Sequence, residues 1–193
     1  MGKRRLLALL RKMRNTQTTS AERAEVRAEI IAVSKKNELA LGQLLADEKD
    51  VGFRIDLLNI IGATQNEYFA TNVRQILQSD APIEVLQTAA INLGKLGGGE
   101  TFEALVELLG HENSNLRLGA IHGLIALGDK RAIKYLLELL DDNSSVKVWW
   151  PSPKAGGYVV ARESSLAIDQ IAGRTFRGDK ALIKEWLCRH SDR

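Results

Sequence analysis

Residues 104–146 read ALVELLGHENSNLRLGAIHGLIALGDKRAIKYLLELLDDNSSV, and two patterns alternate within them. The first is apolar, two residues, apolar, apolar. It occurs at Leu105, Leu108 and Leu109 and again at Leu136, Leu139 and Leu140. That spacing gathers the side chains on one face of a helix. The second pattern is Leu116, Ala120, Ile121, Leu124, Leu127 and then Gly128. These are also helical spacings, with glycine where a left-handed cap is easiest. The stretch therefore predicts helix A, a turn, helix B, a glycine turn and the next helix A.

Outward from this stretch the patterns recur. The triplet stands upstream at Val73, Ile76, Leu77 and at Leu41, Leu44, Leu45, so successive offsets are 32, 32 and 31 residues. It returns at Leu6, Leu9, Leu10 and, after a longer gap, at Ile183, Trp186, Leu187. The B pattern repeats as Val85, Ala89, Ala90, Leu93, Leu96, Gly97 and as Val160, Ser164, Ser165, Ile168, Ile171, Ala172. A degenerate copy is Val51, Ile55, Leu58, Ile61, Gly62. A helix pair of this size cannot bury its own apolar face and must stack on neighbours. The expected fold is all-α: a right-handed α-α superhelix of about five and a half helix pairs, roughly 50 Å long. Small residues at Ala89, Ala90, Gly119, Ala120 and Gly123 let successive B helices approach closely. Start signals fit the same frame. Thr19 with Glu22 forms a capping box, Pro82 after Asp80 suits a first turn, and Asp129 and Asp179 suit N-caps.

The residues from Leu116 to Asp129 carry a resemblance. Leu116, Arg117, Ala120, Leu124, Leu127, Gly128 and Asp129 follow in order a motif of HEAT-like repeats, of the kind found in phycobilisome-lyase-like and armadillo-type proteins. The chain resembles that family best over residues 83–146. The third unit has Leu86 where the motif has Arg, and the last B helix carries Arg162 one place late. The resemblance implies an α-solenoid. Such arrays serve as scaffolds, adaptors and immunity proteins and occasionally as enzymes, so it fixes architecture rather than activity.

Composition narrows the function classes. The chain has 193 residues, with 28 Leu and 21 Ala but only 3 Pro, a helix-permitting mixture. Its net charge of +3 is mild for a dedicated nucleic-acid binder. One Cys and three His allow no intramolecular disulfide and no four-Cys or mixed Cys/His zinc site. No apolar run approaches the ~20 residues that cross a bilayer. The short run Leu6–Leu10 behind Lys3, Arg4 and Arg5 is too brief and too charged for a signal peptide. A reducing cytoplasm is the expected location.

Two regions depart from the period. Residues 1–36 read as a divergent N-terminal capping helix pair whose first helix is basic at Lys3, Arg4, Arg5, Arg11, Lys12 and Arg14, or else as a free basic arm. Residues 37–193 are the repeat array. Within it, 146–159 is an insertion, VKVWWPSPKAGGYV, that reads as a small hairpin or flap. It holds Trp149, Trp150 and Tyr158, residue types that anchor binding interfaces. The alternative is that these rings fold back over the apolar edge of the solenoid.

No constellation of catalytic residues emerges. His111–Glu112 is a single pair in a turn, and Cys188 and His190 stand two apart, off a common helix face. The glycine run Gly97–Gly99 follows a helix and lacks the Gly-Lys-Ser/Thr of a phosphate loop. His122 is a lone B-helix histidine that could line a groove. The reading is a protein-interaction module without catalytic residues, metal or cofactor. It contacts another protein through Arg54, Asn59, Gln87, Arg117 and Arg162 on the B helices and Trp149, Trp150 and Tyr158 in the flap. Two enzymatic alternatives attach to the resemblance: a phycobilin lyase-type subunit acting on a tetrapyrrole protein, and a HEAT-like DNA-repair glycosylase. The second needs a basic concave face, whereas the B-helix surface candidates, which also include Asp56, Lys95, Asp169 and Gln170, are mixed in sign.

Overall fold

The computed structural model describes residues 2–15, 19–146 and 158–190. Among them the chain forms α1 (Gly2–Arg14), α2 (Ser20–Ser34), α3 (Glu38–Asp47), α4 (Val51–Ala63), α5 (Ala70–Leu77) and α6 (Ile83–Leu96). It continues with α7 (Thr101–Leu109), α8 (Ser114–Leu127), α9 (Ile133–Leu136), α10 (Val160–Ala172) and α11 (Lys180–His190). The A triplets fall on α1, α3, α5, α7 and α11 and begin at the end of α9, and the B pattern falls on α4, α6, α8 and α10. The B helices stack in series, α2 on α4, α4 on α6, α6 on α8 and α8 on α10. The A helices α1, α3, α5, α7 and α9 each pack on the B helix that follows them. The architecture is the all-α repeat array that the period demands. No helix among the described residues is long and apolar enough to cross a membrane.

The triplets become the core. Leu6, Leu41, Leu45, Val73, Leu105, Leu136 and Ile183 are all buried, and they join the buried B-helix residues in one continuous cluster. Each fully buried Leu or Ile contributes about 1.5–3 kcal/mol relative to exposure. In α1, Leu6, Leu9, Leu10 and Met13 lie within that cluster, while the basic side is engaged outward. Arg5 pairs with Glu29 at 2.9 Å, and Arg14 pairs with Glu48 and lies over the Phe53 ring.

The closest seam is α6 against α8. A Cβ on Gly94 would lie 1.9 Å from the Gly123 carbonyl oxygen, and one on Gly123 would lie 2.6 Å from that of Ala90. Both are far inside contact distance, so glycine here is a steric requirement. The Thr19–Glu22 capping box is present in both directions. Asp129 accepts from the Arg131 amide, and Asp179 accepts from the amides of Ala181 and Leu182. Gly97, Gly128 and Gly173 end α6, α8 and α10 with positive φ.

Two features differ from the sequence reading. The helix expected around Leu136 is broken: α9 is four residues long and lies between 3-10 stretches Lys130–Ala132 and Leu137–Asp141. Pro82, expected in the first turn of the following helix, stands instead at the N-cap of α6. At the insertion, β1 (Ser145–Val146) pairs antiparallel with β2 (Tyr158–Val159), so its ends form the base of a hairpin. Trp149 and Trp150 lie outside the described residues.

Candidate functional site

The B-helix layer has a solvent-reaching edge. On α4 it carries Asp56 and Asn59, on α6 Ile91 and Lys95, on α8 His122 and Ala126, and on α10 Leu166 and Gln170, all half-buried or exposed. Their spacing of three to four residues is the helical repeat. Sign is mixed along this edge.

Polar contacts bridge three of its inter-repeat seams. Between α2 and α4, the Arg27 guanidinium donates to Asp56 at 3.3 Å. Between α4 and α6, fully buried Asn92 donates from Nδ2 to Asn59 Oδ1 at 3.1 Å and to the Thr88 carbonyl at 2.9 Å. Lys95 Nζ in turn donates to Asn92 Oδ1 at 3.0 Å, and partial burial of the ammonium moves its pKa below the ordinary lysine value. Asn92 fits because the facing residue is Gly62, where a Cβ would meet Asn92 Oδ1 at 2.1 Å. Between α8 and α10, His122 Nε2 lies 3.7 Å from Glu163 Oε2, and Glu163 is buried.

The hairpin is rooted at this last seam. Tyr158 presents its ring edge-on to His122, with centroids 6.2 Å apart, and is 8% exposed. Val160 N–H donates to the Ser144 carbonyl and Ala161 N–H to that of Asp142, fixing both arms of the insertion to α10. The Ser114 hydroxyl donates to the Ser145 carbonyl from the start of α8. The described end of the insertion, Tyr158, thus lies beside His122.

The residues singled out from the sequence are placed unequally. Asn59 lies on the edge and bonds to Asn92. Arg54 is half-buried in α4, and its Nε has no hydrogen-bond partner among the described residues. Gln87 corrects the sequence reading, because it is 1% exposed and not a surface residue. It faces the α6–α8 seam, where a Cβ on Gly119 would meet its Cγ at 3.2 Å, and neither amide atom has a partner among the described residues.

Arg117 is a clamp within the fold. Its Nε donates to Asp142 Oδ2 at 2.8 Å, Nη1 donates to the carbonyls of His111 and Glu112, and Nη2 donates to the Ser144 hydroxyl. It thereby ties the α7–α8 turn to the start of the insertion. His111 belongs to the same turn, with Nδ1 accepting from the Asn113 amide at 3.0 Å. Arg162 is exposed at the C-terminal end of the layer, away from the Asn59–Asn92 seam, in a cleft with Arg177 and Lys180. Tyr158 is buried as described.

Sequence reasoning missed Asn92, the His122–Glu163 contact and this cleft. All three depend on which side chains meet between neighbouring helices, and periodicity within one helix does not report that. No group of three or more His, Cys, Asp or Glu that could hold a metal occurs among the described residues.

A family profile of HEAT repeats matches residues 70–148, from the start of α5 to the residues just after β1. No curated protein matches the chain. HEAT repeats generally mediate protein–protein interaction.

Proposed function

Because the chain is a HEAT-like repeat protein, we propose that it is a binding module that recognises a protein partner through the solvent-reaching edge of its B-helix layer, with the Trp149–Trp150 insertion as an anchor. The observation that carries this reading is the placement of Tyr158, at the end of the insertion, beside His122, on a line of half-buried and exposed polar groups that runs along the array from Asp56 through Asn59 and Lys95. A stack of packed helices holds these groups at fixed spacing, so little conformational entropy is lost on binding. Tryptophan side chains supply the large apolar contact that dominates interface energy. Mixed charge along the edge favours a protein surface over a polyanion, which would require continuous positive potential.

The test is affinity capture of partners on immobilised protein, comparing wild type with two variants whose thermal melts match it. One carries Trp149→Ala and Trp150→Ala, the other Asp56→Lys and Lys95→Glu. A partner held by wild type and lost by either variant supports the reading. The same proteins retained by all three would overturn it.

A further inference from the structure

A separate feature lies at the C-terminal end of the array. A cleft of about 470 Å³ opens between the 3-10 stretch Leu137–Asp141, α10 and the turn before α11. Three cations line it, Arg162, Arg177 and Lys180, against the single carboxylate of Asp141. That carboxylate is already paired with Lys180. Two further acidic groups of this end are committed within the fold. Asp179 caps α11 through the Ala181 and Leu182 amides, and Asp169 accepts from the Phe176 amide at 2.7 Å.

Arg162 and Arg177 are both exposed, and neither makes an ion pair or side-chain hydrogen bond among the described residues. The rest of the lining is apolar but for the Ser165 hydroxyl. Leu140 and Leu166 contribute to it, and Leu166 is 47% exposed. Guanidinium groups are matched by carboxylates in bidentate geometry. An exposed leucine in the same cleft is matched by an apolar side chain and not by a bare anion.

We propose that this cleft binds an acidic peptide segment of another protein, one that carries carboxylates on both sides of an apolar residue. The site shares Leu166 with the B-helix edge, but its cations, Arg162, Arg177 and Lys180, are not among the edge residues, so it is tested separately. Phosphate or a nucleic-acid backbone would satisfy the arginines but leave Leu166 uncovered, so the apolar floor decides between them. Arg162 thereby takes a partner role at a place different from the one its helix position suggested.

The experiment uses the purified full chain and fluorescence anisotropy. The probes are a fluorescein-labelled Glu-Leu-Glu-Glu-Leu-Glu peptide, its Lys-Leu counterpart and a labelled oligouridylate. The acidic peptide is expected to bind, and to bind more weakly as salt rises from about 0.05 to about 0.3 M, where the screening length shortens. Arg162→Glu with Arg177→Glu should cost roughly tenfold or more in affinity, while Lys95→Glu on the B-helix edge leaves it unchanged. If the double reversal disturbs α10, Arg177→Gln, on the turn, should still weaken binding several-fold. The proposal is overturned if the acidic peptide does not bind, if the lysine peptide binds as well, if oligouridylate binds more tightly, or if affinity survives the reversal. None of these results bears on the B-helix variants, which are read with their own partner.

Discussion

Arg117 stands where the sequence motif of the repeat places an arginine, and its side chain is spent on the fold. Its guanidinium meets the Asp142 carboxylate, 25 residues on in the chain, two carbonyls of the α7–α8 turn and a serine hydroxyl. Burial pushes the Asp142 carboxyl up, but hydrogen bonds from Ser144 and from Arg117 overcome this and hold it below the ordinary carboxylate range. A carboxyl with a depressed folded pKa binds fewer protons folded than unfolded. Its stabilisation is therefore present above the unfolded value of about 3.9 and is lost as pH falls through the folded one. Asp142→Asn should cost about 1.5–3 kcal/mol near pH 7. The gap between wild-type and variant melting temperatures should shrink steadily below about pH 4. A gap that stays constant down to acid unfolding would show that the carboxylate charge does not hold this turn. The arginine was legible from its motif, but its partner was not, because a contact 25 residues distant leaves no mark in the local pattern.

At the level of the helices, the apolar triplets located the A elements and the B pattern located α4, α6, α8 and α10, because burial on one face enforces helical spacing, whereas α2 was marked only by its capping box. The same logic explains where the reading failed. Residues three apart share a face in both an α-helix and a 3-10 helix, so Leu136 and Leu139 could not reveal that the chain tightens at Leu137. Small residues signalled close B-helix packing at Ala120 and Gly123, yet the tightest contact involves Gly94, which sequence alone did not separate from a neutral helix glycine. The distinction is measurable. Gly→Ala inside a helix ordinarily stabilises by about 1 kcal/mol. At Gly94 the new methyl would press on the Gly123 backbone, and overpacking of this kind costs about 1–3 kcal/mol. Gly94→Ala should therefore lower the urea midpoint. Gly52→Ala, whose Cβ would meet only Asp50 Oδ1 at 3.5 Å, should leave it unchanged or raise it. Equal and favourable shifts at both sites would mean that α6 and α8 can slide apart at little cost.

Across the whole array, each unit touches only its neighbours, so stability is a sum of local terms and is unequal along the chain. The α6–α8 seam is the most extensive contact between elements, with α4 on α6 next, while α2 meets α4 far more lightly. The units at either end have one neighbour instead of two. Such an array opens from its ends inward, because releasing a terminal unit breaks one interface while opening a central one breaks two. Amide hydrogen exchange followed by mass spectrometry should find α6 and α8 the slowest segments, α4 and α10 intermediate, and α1 and α11 the fastest. The consequence for binding is specific. The Asn59–Asn92–Lys95 bridge sits in the rigid centre, whereas Arg162 and Arg177 sit at an end that opens first. A ligand in the C-terminal cleft should slow exchange in α10 and α11 more than anywhere else, by closing the fraying end. Exchange that is uniform from α1 to α11 would mean the chain unfolds as one cooperative unit, and the nearest-neighbour account of its stability would be wrong.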